Sequence, residues 1–317
     1  MALPTRSDLE QTYRLVHAHL HRTPVLRSRS LDALSGARLF FKCENFQRTG
    51  SFKMRGALNA LLRLDGEQKA RGVATHSSGN FAQALALAAH EAGVPAFIVM
   101  PENAPAVKRQ AVEAFGGRVF PCGPALSDRE ARLREVLEET GATFIHPSDD
   151  LMVILGQGTA AMELLEDQPD LEVIIAPVGG GGLLAGTALA AHHFGREVQV
   201  LAGEPRNADD AWQSLRAGRI IPPENPQTIA DGLRTALGEV NFPIIQRLVS
   251  NIIRVEEEEI LHALKLLLQR LKIVVEPSSA VAFAAVLKEP ERFRGKRVGV
   301  LLSGGNLDWN VLTAGEE

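Results

Sequence analysis

Residues 173–191 carry no charged side chain and approach the length of a membrane span. They also contain Pro177 and the run Gly179-Gly180-Gly181-Gly182. Four consecutive glycines break a lone spanning helix, because lipid offers no partner for the backbone groups they free. The segment therefore reads as a buried strand, a loop and a buried helix.

The same order recurs along the chain. Residues 73–75 read as a strand, 77–80 as a loop, and an alanine-rich helix runs to His90. Strands at 96–100, 118–120 and 143–146 alternate with helices at 104–115 and 127–140. A second series follows, with helices at 156–165 and 183–193 and strands at 173–177 and 198–202. Further apolar segments lie at 260–271, 273–275, 280–287 and 298–302, and a helix at 8–20 and a strand at 38–43 precede both series. Such alternation implies an α/β protein with parallel sheets and helical crossovers. His17 and His21 have metal-ligand spacing, but no carboxylate completes a site, so they read as a solvated helix end.

The 317 residues suffice for two domains or one large one. With 34 basic and 38 acidic residues and only 5% aromatics, the chain has neither a basic footprint nor a base-stacking platform, which excludes nucleic acid as an expected partner. Cys43 and Cys122 are too few for a disulfide framework or a cysteine zinc site. With no signal or transit peptide and no membrane span, the expected compartment is the cytoplasm.

Ser51-Phe52-Lys53-Met54-Arg55-Gly56-Ala57 places one lysine after a turn-and-cap signal, Thr49-Gly50-Ser51, and before the apolar face of a helix. An ammonium in a first helical turn, partly desolvated, meets an unfavourable dipole and dielectric, and both favour its neutral form. A neutral lysine forms Schiff bases. Ligands of a parallel sheet collect at the carboxyl ends of its strands, so the loops there matter most. Gly179 to Gly182 can aim several N–H groups at one phosphate. Gly180, Gly182, Ala185 and Glu204 also fit a relaxed dinucleotide fingerprint, which keeps a nicotinamide-dependent oxidoreductase open. Ser77-Ser78-Gly79-Asn80 joins a strand to a helix and suits a carboxylate. Ser303-Gly304-Gly305-Asn306 ends the last buried strand with a hydroxyl and room for a ring. Glu204, Asp209 and Asp210 gather three carboxylates in a loop, where oxygen ligands suit Mg2+ or Ca2+ or else an acidic surface.

Together with Gly156-Gln157-Gly158-Thr159, Ile229-Ala230-Asp231-Gly232 and Val275-Glu276-Pro277, these pieces resemble the serine/threonine dehydratases and serine racemases, which are fold-type II pyridoxal-phosphate enzymes similar to the tryptophan synthase beta chain. The resemblance spans nearly the whole chain. It implies two open parallel-sheet α/β domains with the cofactor between them: a large one from residues 1–50 and 147–317, and a small one from residues 51–146. It implies that Lys53 holds pyridoxal 5'-phosphate as an internal aldimine and moves the α-proton. Gly179, Gly180, Gly181, Gly182 and Leu183 hold the phosphate, Asn80 meets the ring 3'-oxygen, Ser303 meets the pyridine nitrogen, and Phe52 packs near the ring. Ser77, Ser78, Gly79 and Asn80 take the substrate carboxylate, and in racemizing members the serine at Ser78 is the base on the opposite face. Glu204, the Ala208 carbonyl and Asp210 match a divalent-cation site for Mg2+ or another ion.

The activity so implied is an L-threonine/L-serine ammonia-lyase giving 2-oxobutanoate or pyruvate, with serine racemase or threo-3-hydroxyaspartate dehydratase as the family alternatives and a homodimer as the expected assembly. Phe81 and Ala84 stand where many relatives have histidine and glycine, and Ser148 replaces a larger residue, so pocket size is the expected difference. The short run after Asn306 leaves no room for a regulatory domain, so feedback by isoleucine is not expected.

Overall fold

The computed structural model describes residues 2–77, 79–104 and 106–309, and the backbone alone at Val107. Among the described residues the strands are β1 (Val25–Leu26), β2 (Arg38–Cys43), β3 (Val73–His76), β4 (Ala96–Pro101), β5 (Arg118–Cys122), β6 (Thr143–Phe144), β7 (Val173–Pro177), β8 (Gln199–Pro205), β9 (Asn251–Val255) and β10 (Arg297–Leu302). They form two sheets, one ordered β1-β2-β10-β7-β8-β9 and the other β5-β4-β3-β6. Apart from β1, which runs antiparallel to β2, every pairing is parallel.

Helices cover both faces of each sheet, which explains the near-continuous apolar runs. The Pro277–Lys288 and Glu257–Leu271 helices close one side of the larger sheet over Phe41, Ile175 and Val300. The Leu151–Asp167 and Gly182–Phe194 helices close the other over Phe40, Ile174 and Leu301. In the smaller sheet, Val73, Ile98 and Met100 pack against the Lys53–Leu62 and Asn80–Glu91 helices. Its opposite face packs Ala74, Phe97 and Val99 against Leu133 and Val136 of the Leu126–Thr140 helix.

Three local differences from the sequence reading have plain causes. The first helix ends at Val16 and tightens into a 3-10 turn, with the His17 ring at 3.0 Å from the Tyr13 carbonyl, while the His21 ring lies 3.1 Å from the Phe46 carbonyl. The helix expected from 156 starts at Leu151, because the Asp150 carboxylate accepts from the N–H groups of Met152 and Val153. The strand expected over 143–146 stops at Phe144, paired to Val73 and Ala74, because Pro147 lacks an N–H and the chain turns there, with the Ser148 and Asp149 N–H groups on the His146 ring.

The Lys53–Leu62 and Leu151–Asp167 helices touch backbone to backbone. A Cβ on Gly156 would sit 2.4 Å from the Arg55 carbonyl, so only glycine permits the approach. Beside this contact lies an ion network that is almost fully buried. The Arg55 guanidinium donates to both oxygens of Glu44 at 2.7 and 2.9 Å, to both oxygens of Glu163 at 2.9 and 2.8 Å, and to the Thr159 hydroxyl at 3.1 Å. Lys42 donates to Glu163 at 2.6 Å and to the Thr23 carbonyl at 2.8 Å. Two cations offset two anions, and Glu163, which burial alone would raise, is held below the usual carboxylate range by Arg55 and Lys42. The network ties the start of the Lys53 helix to the end of β2. Arg55→Leu should destabilise the protein by roughly 3–5 kcal/mol, since it leaves buried charge uncompensated. Chemical denaturation measures this, and a loss below about 1 kcal/mol would contradict it.

Candidate active site

After β2 the chain returns against the end of β10. Thr49 and Gly50 take left-handed conformations, φ 58° and 72°, and turn the backbone. Gly50 then accepts from Gly305 N–H at 2.9 Å, Ser51 bridges Gly304, and Phe52 N–H donates to the Ser303 carbonyl at 3.0 Å. Lys53 follows as the first residue of its helix. The expected Ser51 cap is not formed: Phe52 occupies the cap position, and the buried Ser51 hydroxyl has no partner among the described residues.

The Lys53 side chain is partly buried, and its amine donates to the Pro147 carbonyl at 2.8 Å. The Phe52 and Phe81 rings lie 5.1 and 5.7 Å away. Burial lowers its pKa to about 8, against an opposing pull from Glu276. At neutral pH a usable fraction of this amine is therefore unprotonated, as a nucleophile or base requires.

Asn80 opens the helix after β3, and its amide joins the two sheets. It donates to the Glu276 oxygens at 2.9 and 3.0 Å and accepts from Asn306 at 2.8 Å. Burial raises Glu276 to about 7, although the Asn80 bonds oppose this. Glu276 belongs to a motif in the sequence, but sequence reasoning assigns it no role. An acid before a proline at a helix start, preceded by Val274 and Val275, is the signal the sequence offers. Ser303 is buried, with its hydroxyl 3.0 Å from the Ser279 hydroxyl, which is itself bonded to Gly304. Ser77 follows β3, with its N–H on the Val99 carbonyl. A Cβ on Gly79 would meet open space. Ser78 lies outside the described residues.

The glycine loop follows β7. Gly181, at φ 82°, caps the Gly182–Phe194 helix without a side-chain bond, and Leu183 is buried in its first turn. Among the described residues the N–H groups of Gly179, Gly180 and Gly181 have no protein acceptor. A Cβ would collide at 2.7 Å with Leu233 from Gly179, and at 2.5 Å with the Ser148 hydroxyl from Gly180. Asn241, also unnoticed in the sequence, clamps the loop by donating to the Gly180 carbonyl at 2.9 Å and to the Ser148 carbonyl at 3.2 Å. Because Ser148 follows the Pro147 that holds Lys53, the amine and the loop share one anchor. Free donors at a helix start, beside a desolvated amine, fit a phosphate-bearing aldehyde.

The His146 imidazole lies near Lys53, and the His76 ring stands edge-on to it with 5.6 Å between centroids. The His146 Nδ1 accepts from Ser148 and Asp149 N–H at 3.2 and 2.8 Å, and burial, with His76 and Lys53, lowers its pKa to about 4. Burial lowers His76 as well. Phe81 and Ala84 are buried in the helix that Asn80 begins.

Glu204 and Asp210 form a separate cluster at the end of β8. Glu204 accepts from the N–H groups of Ala211 and Trp212, both at 2.8 Å, yet burial and Asp210 raise it well above the usual range. Both Asp210 oxygens are buried with no well-formed hydrogen bond among the described residues, and burial raises that group to about 7 against nearby backbone N–H groups of Asp210 and Leu237. Ala208 is buried just before them. No group of three or more His, Cys, Asp or Glu side chains with metal-binding geometry occurs among the described residues. The expected cation set has two carboxylates, with a backbone carbonyl as its third member.

Comparison with known proteins identifies the chemistry. The chain matches the family model described as "Pyridoxal-phosphate dependent enzyme" over residues 16–304. It is 47% identical over 312 residues to a beta-hydroxyaspartate dehydratase of Paracoccus denitrificans, covering 98% of this chain and 99% of the relative. It is 46% identical over 317 residues to a serine racemase of Dictyostelium discoideum, covering 99% of this chain and 98% of the relative. Among solved structures, a threonine deaminase of T.th. superposes with a TM-score of 0.91 at 46% identity, covering 96% of this chain and 99% of that one. The nicotinamide reading of the glycine loop gives way to this result. The protein, an α/β chain with parallel sheets, belongs to the fold-type II pyridoxal-phosphate dependent enzymes.

Proposed function

We propose that the protein is an ammonia-lyase acting on L-threonine and L-serine and releasing 2-oxobutanoate or pyruvate with ammonia. The observation that carries this reading is Ser303, a buried hydroxyl whose partner is a second hydroxyl, beside a desolvated lysine. Pyridoxal phosphate, when bound, supplies an electron-withdrawing ring that acidifies the Cα–H of an attached amino acid. Lys53 would hold the cofactor's aldehyde and, as a neutral amine, would take the substrate Cα proton. Gly179 to Gly182 and Leu183 hold the phosphate through backbone N–H groups. Ser77, Ser78, Gly79 and Asn80 receive the substrate carboxylate, and Phe52 packs beside the ring. A hydroxyl at Ser303, unlike a carboxylate, does not keep a ring nitrogen protonated. Ser303 would thereby suit prompt departure of the β-hydroxyl over storage of charge at Cα.

This chemistry sits between a larger unit of residues 1–50 and 147–317 and a smaller one of 51–146, in a homodimer in the cytoplasm. No helix among the described residues is long and apolar enough to cross a membrane. A second reading, dehydration of 3-hydroxyaspartate, is supported by the Paracoccus relative. Phe81, buried beside the lysine, and His146, held neutral by burial, favour an uncharged β-substituent over a second carboxylate. Serine racemization, the activity named for the Dictyostelium relative, would require Ser78 as a second base.

Keto-acid release should be fastest with threonine or serine and at least about a hundredfold slower in Lys53→Ala. A greater rate with 3-hydroxyaspartate would favour the second reading, and D-serine without keto acid would favour racemization.

Stability against pH tests the buried pair in cofactor-free protein. The folded pKa of Lys53 lies below the unfolded value, roughly 10.4, so the unfolded chain binds more protons between about pH 8 and there, and stability rises with pH across that window. Glu276 runs the other way. Its folded pKa exceeds the unfolded one, roughly 4.3, so its contribution is lost as pH climbs to about 7. Lys53→Met should flatten the upper slope and Glu276→Gln the lower, each by up to roughly 3 kcal/mol. Slopes unchanged by either substitution would refute the assignment.

For the cation, we propose Glu204, the Ala208 carbonyl and Asp210 as ligands of Mg2+ or Ca2+. Saturating ion should raise stability by about 2–3 kcal/mol, and Asp210→Asn should remove that gain. A melting temperature indifferent to ion and chelator would exclude the site.

A further inference from the structure

Gln157 lies on the Leu151–Asp167 helix, with no solvent exposure and with neither its carboxamide nitrogen nor its oxygen hydrogen-bonded among the described residues. An unsatisfied carboxamide is costly in a core, and a methionine would fill the same volume without that cost. Packing alone therefore does not account for it. Its position does. A Cβ on Gly56, in the Lys53 helix, would come 3.1 Å from Gln157 Cγ, and one on Gly182 would come 2.8 Å from Gln157 Oε1. The side chain thus runs from the lysine's helix to the first residue of the helix opened by the glycine loop.

The other polar side chains crowding that loop are Ser148 and Thr235 at Gly180 and Asn241 at Gly181, and all are uncharged. An anion there is met by backbone N–H groups, the helix dipole and neutral side chains, so each donor to a charged oxygen counts. Resting on the reading of the glycine loop as a phosphate cradle, we propose that the Gln157 carboxamide is a further phosphate-binding group, donating through its N–H to the phosphate that the loop holds. In the cofactor-free chain the same group is left without a partner. Gln157 thereby trades stability of the empty protein for affinity toward the phosphate.

That trade separates the proposal from a packing role. Two quantities are to be compared among the full-length wild type, Gln157→Met and Gln157→Glu: the melting temperature of the cofactor-free protein, and the ratio of affinities for pyridoxal phosphate and pyridoxal from absorbance titration. Gln157→Met should melt no lower than wild type, and by about 2 °C or more higher if the buried carboxamide is relieved. Its affinity ratio should fall roughly tenfold or more. Gln157→Glu should lower the ratio further through charge repulsion, and if it fails to fold, the methionine variant decides. An unchanged ratio, or equal losses toward both compounds, would overturn the assignment. If the wild type binds pyridoxal and pyridoxal phosphate alike, the cradle reading itself fails, and the role of Gln157 falls with it.

Discussion

A primary amine drawn largely out of water is the constraint on which the rest of this structure depends. Among the described residues, Lys53 has one hydrogen-bond acceptor, the Pro147 carbonyl, and two aromatic rings near it. Full hydration would restore its ordinary basicity, so the protein must hold the start of one helix firmly where water is scarce. It does so with the backbone pairing of residues 50–52 to 303–305 and with the guanidinium of Arg55 two residues further on. A strongly basic side chain is buried with its anions so that a weakly basic one can be buried without any direct carboxylate partner.

The same anchors bring separate parts of the chain together. Asn80, at the start of a small-sheet helix, reaches Glu276 and Asn306 beyond strands of the larger sheet. Pro147 and Ser148 connect the lysine to the glycine loop, which Asn241 clamps from a third segment. Residues far apart in the chain thus meet at the carboxyl ends of parallel strands, as ligand-binding residues of open sheets do.

What could be read in the sequence follows from local physics. The strands β2, β7 and β10 were legible because burial on both faces leaves uninterrupted apolar runs, and Lys53 stood out as a cation within small and apolar neighbours. The glycine loop was legible too, although its glycines are also demanded by Leu233 and Ser148, contacts that no local pattern announces. The edge strands β1 and β9 were not evident, since edge strands need not be apolar on both faces. Glu276, Asn241, His146 and Gln157 acquire meaning only through partners remote in sequence or through their lack. The cap assigned to Ser51 failed because the segment is fixed by pairing with β10's end, a tertiary contact that overrides capping propensity.

The most direct test is borohydride reduction of the protein with pyridoxal phosphate supplied, followed by peptide mass mapping, since reduction fixes a lysine-bound aldehyde as a stable secondary amine. The account predicts a single phosphopyridoxyl adduct on the peptide carrying Lys53, absent from Lys53→Ala. No adduct, or one on a different lysine with Lys53 unmodified, would contradict it.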